Sequence, residues 1–210
     1  HLFKRKQLSV SIITMSLFAI AFFGAMLLFP TYFISVRGES TLAAGLLLAP
    51  QGIGAMVTMP LAGRLTDKMG PGKFVLGGLA LIALGMGVFT QLTDTTSYVL
   101  ILGSLFVMGM GMGMTMMPIM TAALASLSHQ EVARGSTLMN IVQQAAASVG
   151  TATMSVILTD QLISKPAYQA GKAIQNDPSQ AANFPPQLLA EIPGQMAEAF
   201  AFTFWVALIL

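Results

Sequence analysis

Asn140, Gln144, Ser148, Thr151 and Ser155 follow one another at spacings of 4, 4, 3 and 4. Residues so spaced share one face of an α-helix, and Gln143 flanks that face. Two carboxamides and three hydroxyls can exchange hydrogen bonds with another helix or with a solute. Toward lipid tails they are costly, so the face must meet protein or a water-filled path. Both readings, interhelical packing and a substrate path, stay open on sequence alone. Groups that make and break covalent bonds lie elsewhere: His1, His129 and all eight carboxylates fall outside the long uncharged runs. No Ser–His pair, carboxylate dyad or metal-ligand cluster can be assembled within those runs, and there is no cysteine. This argues against an enzyme, and the runs also lack the buried Asp or Glu that proton coupling normally uses.

The elements that position these residues are set by where charge is absent. With 55% hydrophobic residues, 9% charged residues and a mean hydropathy of +0.75, the chain is too apolar for an ordinary soluble domain. Leu8–Ser35, Ser40–Gly63, Phe74–Thr93, Thr95–Ser128 and Gly135–Thr159 carry no formal charge, nor does Ala199–Leu210. About 20 apolar residues cross a bilayer, and a central Lys or Arg costs about 2.5–3.5 kcal/mol on insertion. The first run is about twice the length of a signal-peptide core and lacks a small-residue cleavage site. The expected fold is all-α, a polytopic transmembrane bundle over 1–210. Its helices are expected at about 8–35, 41–65, 74–92, 98–127, 137–159 and 197–210, the last one truncated. The segment 160–198, with Pro166, Pro178, Pro185, Pro186 and Pro193, reads as an extracytoplasmic loop with a short helix near Pro186–Ile192.

Four charges, Arg64, Asp67, Lys68 and Lys73, crowd into Gly63–Lys73 between glycines and a proline. Alternating helix direction puts Lys4, Arg5, Lys6, Arg64, Lys68, Lys73 and Arg134 on one side, and Arg37, Lys165 and Lys172 on the other. The positive-inside rule makes the first side cytoplasmic, so the 64–73 hairpin is expected at the inner face of the plasma membrane. A net charge of +2 gives no reason to expect nucleic acid. Seven of the 16 methionines (Met108, Met110, Met112, Met114, Met116, Met117 and Met120) lie within thirteen residues beside Gly109, Gly111 and Gly113. Period-two spacing spreads them over several faces of a helix. They suit either apolar packing or an adaptable wall for greasy ligands, while Cu(I) ligation lacks a supporting Cys or His. Pro118 is expected to kink this helix, and Pro50 with Gln51 and Gly52 to bend another.

Gly63-Arg64-Leu65-Thr66-Asp67-Lys68-Met69-Gly70 resembles the loop signature of the major facilitator superfamily, with Gly72 at a position usually basic. "VRGES" before "AGLLLAPQGIG", "GMGMGMTMMP" and "GSTLMNIVQQAAASVGTA" resemble its fourteen-helix multidrug:proton antiporter branch. The resemblance implies the C-terminal six-helix half of such a transporter, with the proton gradient as energy source and no cofactor. It implies small hydrophobic or cationic substrates, and as partners the lipid bilayer and the N-terminal half of the same transporter. The first and fourth helices would line the cavity, the second and fifth would meet the other half, and the third and sixth would face lipid. Gly63, Arg64, Asp67, Lys68 and Gly70 would form a cytoplasmic latch, with the Asp in charge and helix-terminus contacts. Phe22, Met26, Gln51, Met112, Met116, Asn140, Gln143 and Gln144 would lie in the cavity or at the half–half interface. A facilitator-type carrier of another small solute, or a non-transporting membrane scaffold, are the alternatives.

Overall fold

The computed structural model describes the backbone of residues 6–69, 71–124, 129–177, 179 and 183–209. It describes the side chains of 13–62, 72–116, 118–119, 132–177, 179 and 183–209. Its elements are α1 (Lys6–Met26), α2 (Leu28–Ser35), α3 (Thr41–Leu47), α4 (Ala49–Met69) and α5 (Pro71–Phe89), followed by α6 (Tyr98–Leu124), α7 (His129–Ile163), α8 (Pro166–Asn176), α9 (Pro186–Ala190) and α10 (Ile192–Ile209). Six stretches are long and apolar enough to cross a bilayer among the described residues: Ile13–Ser35, Thr41–Ala62, Gly72–Phe89, Tyr98–Met116, Val132–Ile163 and Ile192–Ile209.

Several expected boundaries move, for two physical reasons. First, charge ends a membrane span without ending a helix. The helix expected at 137–159 runs His129–Ile163, and the one expected to stop at 65 continues to Met69. At 35 residues, α7 is about 52 Å long, far more than the roughly 30 Å of hydrocarbon. The region 160–198 accordingly holds the end of α7, all of α8 and α9, and the start of α10. Second, two prolines break helices by removing an amide donor. Pro30 has no N–H for the Met26 carbonyl, and the helix expected over 8–35 divides at Leu27. Pro50 does the same to Leu46, and the helix expected over 41–65 divides at Leu48. There Gln51 N–H turns to Leu48 O (3.1 Å) in a tighter i→i−3 bond. Pro60 and Pro118, by contrast, lie inside unbroken α4 and α6.

Helix α6 is held between α4 and α5, and α1 crosses α7. The glycine–methionine alternation explains how. Residues two apart on a helix lie on nearly opposite sides, and residues four apart on nearly the same one. Gly109 and Gly113 therefore face α4, against the backbone of Gln51 and of Ala55, while Gly111 faces α5 against Gly78 and Ile82. A Cβ at Gly109 would lie 2.8 Å from the Gln51 carbonyl carbon, and one at Gly111 would lie 2.7 Å from the Ile82 side chain. The α1–α7 crossing repeats the device, with a Cβ on Gly24 lying 2.8 Å from Gly150 O. Thr58 Oγ1 adds a hydrogen bond across the α4–α6 seam to Met110 O (2.9 Å).

A second knot joins α2, α5 and α10. Phe29 meets Phe89 edge-on at 4.7 Å and stacks on Phe204 at 5.1 Å, and Phe89 lies 5.2 Å from Phe204. Tyr32 meets Phe200 edge-on at 5.8 Å, and all five rings are buried. In the α4–α6 seam, Gln51 is buried, and its Nε2 has no hydrogen-bond partner among the described residues.

Three outcomes are expected in thermal unfolding of the intact protein in detergent. Gly109→Ala or Gly150→Ala should destabilise by about 1–3 kcal/mol through overpacking. Gly87→Ala or Gly103→Ala, with nothing within 4 Å of the new Cβ, should be neutral or stabilising by up to about 1 kcal/mol. Gln51→Met keeps the volume and removes the orphaned amide, so it should be neutral or stabilising by about 1–3 kcal/mol.

Candidate functional site

Helix α7 divides into three longitudinal faces. Met139, Ala146, Gly150, Met154, Leu158 and Leu162 are buried, where α7 packs on α1 and α10. Next to this seam lies the polar face, with Asn140, Gln144, Ser148 and Ser155 exposed and Thr151 and Gln143 half-buried. Beyond it comes an apolar face of Ile141, Ala145, Val149, Ala152 and Val156, also exposed. Ser148 Oγ donates to Gln144 O within the same helix (2.9 Å), and Thr153 does likewise to Val149 O (2.8 Å). The amides of Asn140 and Gln144 have no partner among the described residues. An apolar face can meet lipid, but one with free carboxamides at membrane depth needs protein or water opposite it.

The other cavity candidates divide between inside and outside. Met112 and Met116 are half-buried on α6 and pack on the apolar core. Met26, at the end of α1, is exposed. Phe22 is buried, stacked on Phe18 at 5.2 Å and edge-on to Phe23 at 5.7 Å. It lines a groove of about 330 Å³ with Phe18, Leu79, Ile82, Met86 and Ala207, between α1, α5 and α10. Of the cavity candidates, Phe22 alone reaches this groove. Gln51 sits apart from this groove, in the α4–α6 seam. What sequence reading missed in the groove is the α5 wall, Leu79, Ile82 and Met86. A spacing of 3 and 4 was the available signal, but a uniformly greasy helix shows no contrast between its faces.

Of the latch residues, Gly63, Arg64, Asp67 and Lys68 have their backbone in the last two turns of α4. Their side chains, and Gly70 altogether, lie outside the described residues. A carboxylate in a final helical turn meets the negative end of the helix dipole, an unfavourable position by about 0.3–1 kcal/mol. The sequence reading placed Asp67 in the connection after a helix ending near 65, whereas its backbone belongs to the last turn of α4.

At the end of the bundle remote from residues 64–73, polar contacts join the connections. Lys165 Nζ pairs with Glu198 Oε2 at 2.6 Å, and the Ala167 N–H donates to Gln195 Oε1 at 3.2 Å, docking α8 on α10. A shallow vestibule of about 520 Å³ lies there, lined by Asp94, Lys165, Glu191, Gln195 and Glu198.

The chain's resemblances agree with this geometry. The family model described as Major Facilitator Superfamily matches residues 1–151. A "Multidrug resistance protein B homolog" of Mycobacterium tuberculosis is 38% identical over 227 residues, covering all of this chain and 41% of that protein. A lincomycin resistance protein of Listeria innocua is 27% identical, covering 99% of this chain and 42% of its own length. A puromycin resistance protein of Streptomyces alboniger is 29% identical, covering 71% of this chain and 30% of its own length. The chain thus spans about two fifths of the length of the first of these relatives. A family match over most of the chain, on an all-helical bundle with six stretches able to cross a bilayer, makes this a multi-pass membrane protein that belongs to the major facilitator superfamily.

Proposed function

We propose that this chain is the C-terminal half of a drug-efflux transporter, without enzymatic activity, that exports small hydrophobic or cationic compounds. The observation that carries this reading is the uncovered polar face of α7, Asn140, Gln144 and Ser148, at membrane depth beside a lipid-compatible face. An uncharged strip of donors and acceptors can hold polar groups of many solutes without demanding one shape. The half-buried Met112 and Met116 on α6 supply a polarizable wall that adapts to apolar ones. Relatives named for resistance to lincomycin, to puromycin and to multiple drugs support the substrate class. The uncovered face of α4 (Ile53, Met56 and Met59) and the polar face of α7 are the surfaces the N-terminal half would meet. Lipid would surround the rest.

In this reading, a proton gradient drives export and no cofactor takes part. The uncharged runs hold no carboxylate, and Asp160 and Glu198 lie outside them, so in this reading the proton-carrying group belongs to the other half. The 64–73 hairpin faces the cytoplasm across the plasma membrane, following the excess of Lys and Arg on that side. Asp67, placed unfavourably at the end of its own helix, would latch to a helix N-terminus or a cation across the half–half boundary. A bias of a few kcal/mol shifts such a rocking equilibrium without freezing it.

Cells stripped of their own pumps and expressing the full-length protein should accumulate a fluorescent lipophilic cation several-fold less than vector controls. A protonophore should abolish the difference, whereas accumulation equal to the controls would remove the efflux reading and leave the scaffold alternative. Asp67→Asn should lower efflux several-fold at equal membrane insertion; wild-type efflux would end the latch role. Gln144→Leu should reduce export of hydrogen-bonding drugs several-fold, while Val149→Leu on the neighbouring apolar face should leave it unchanged.

A further inference from the structure

A groove of about 590 Å³ lies on the outside of the α5–α6 pair, at the end of the bundle remote from the 64–73 hairpin. All of its lining comes from α5, α6 and the turn between them, so it is separate from the faces of α4 and α7 assigned above to the other half. Its depth comes from two short residues of α5, Ala83 and Gly87, which share one helix face. A Cβ on Gly87 would meet nothing within 4 Å. On either side stand larger residues, Leu84 of α5 and Leu100 of α6, 68% and 52% exposed.

Polarity changes once along this groove. Its long part belongs to two stretches able to cross a bilayer, Gly72–Phe89 and Tyr98–Met116, and no charged side chain lines it. From Ala83 to Gln91 the helical rise amounts to about 12 Å, most of the roughly 15 Å of hydrocarbon in one leaflet. Polar groups gather at the turn end only. There the Gln91 carboxamide and the Ser97 hydroxyl are exposed, without a partner among the described residues. Thr96 is already engaged, since its Oγ1 accepts from the Thr93 N–H at 2.8 Å. The turn is also held from behind. Arg37 Nη1 donates to Asp94 O and Nη2 to Thr96 O (2.8 Å), and its guanidinium lies over the Tyr98 ring, 4.5 Å from the centre.

We propose that this groove binds one chain of a diacyl glycerolipid from the leaflet remote from the 64–73 hairpin. The acyl chain lies over Ala83 and Gly87. Gln91 and Ser97 donate to the ester carbonyl oxygens, the acceptors that a glycerolipid carries where its chains begin. The occupant follows from the groove itself: it is apolar over most of a leaflet's depth, and its free donors sit at the one level where the bilayer offers acceptors. Among lipids, apolar burial favours no one surface over another. Retention therefore comes from close chain contact and from hydrogen bonds made away from water. With no charge in the lining, the headgroup is not read, and zwitterionic and anionic lipids bind alike. The inference needs only a chain that spans a bilayer, whether or not it exports drugs.

The test uses the full-length protein in nanodiscs holding a trace of phosphatidylcholine with a diazirine on one acyl chain, and maps the photolabelled peptides. Labelling over residues 83–100 should exceed several-fold that around Val156, which is as exposed as Leu84 (68% each) on the apolar face of α7. Gly87→Leu, which fills the open space, should lower groove labelling several-fold and leave the Val156 region unchanged. Ala83→Leu should do the same and covers failure of Gly87→Leu to insert. Gln91→Leu combined with Ser97→Ala should also lower it, and a phosphatidylglycerol probe should behave as the phosphatidylcholine one does. Equal labelling at the groove and at Val156 would mean passing lipid only, and weaker labelling at the groove would mean that protein covers it; either overturns the proposal. So does labelling that Gly87→Leu leaves unchanged, or a several-fold preference for one headgroup. Labelling is read without drug, so a protein that fails to export drugs leaves this result standing.

Discussion

In a bilayer, the solvent is as apolar as the side chains, so burying Leu against Leu gives two helices no reason to stay together. What remains is close contact, aromatic geometry and hydrogen bonding, and α6 is built around the first. Its glycines alternate between two partners, with Gly109 and Gly113 laid on the α4 backbone and Gly111 on α5. Dispersion falls off steeply with distance, so removing a Cβ at the crossing point recruits many backbone atoms into contact. The methionines between these glycines then fill the irregular gaps beside each crossing. Met108 is fully buried against Gly85, whereas Met112 and Met116 are only half-buried. One repeat therefore supplies both a rigid seam and a pliable wall.

The two broken helices show how packing decides what a proline does. Pro30 and Pro50 each remove one backbone donor and divide a helix three residues upstream or two. Beyond the first break, α2 carries Phe29, Tyr32 and Phe33 into the aromatic knot with Phe89, Phe200 and Phe204, and the segment is locked. Beyond the second, α3 buries Ala44 and packs Leu47 against the core, while Leu42 and Leu46 stay uncovered within this chain. The same local defect therefore serves an element enclosed on all sides within this chain and one that shares its uncovered face with α4 (Leu42 and Leu46 with Ile53 and Met56).

The six helices were legible because charge is excluded from membrane-depth runs, and this is a strong energetic filter. Their ends were not, because the same filter says where hydrocarbon stops and nothing about where the backbone leaves the helix. His129, Glu131 and Arg134 are helical although charged or polar. The polar face of α7 could be read from spacing alone, and the structure leaves Asn140, Gln144 and Ser148 uncovered. The partner of each face could not be read, since a helix with three faces looks two-sided in a pattern of polar and apolar letters. Phe22 illustrates the same gap: its helix was legible, but its side among α5 and α10 depends on how α1 is rotated. Arg37 could be recognised only as a cation on the sparsely charged side, because its partners are backbone carbonyls, which have no signature in sequence.

The three-faced character of α7 also restricts how the chain can sit among its surroundings. Its buried seam is used by α1 and α10, and its apolar face (Val149, Ala152 and Val156) can contact lipid at no cost. Only the intermediate face carries groups that lipid would penalise, and it is narrow, bounded on both sides by faces already assigned. A covering element must therefore approach α7 along one direction, between its seam with α1 and its lipid-facing strip. An uncharged face makes that approach tolerant. An unpaired carboxamide left facing a neighbour costs about 1–3 kcal/mol, far less than an unpaired ion at the same depth. A boundary of this kind can separate and re-form without stranding a charge in hydrocarbon, which is the physical requirement on any surface that alternately meets protein and water.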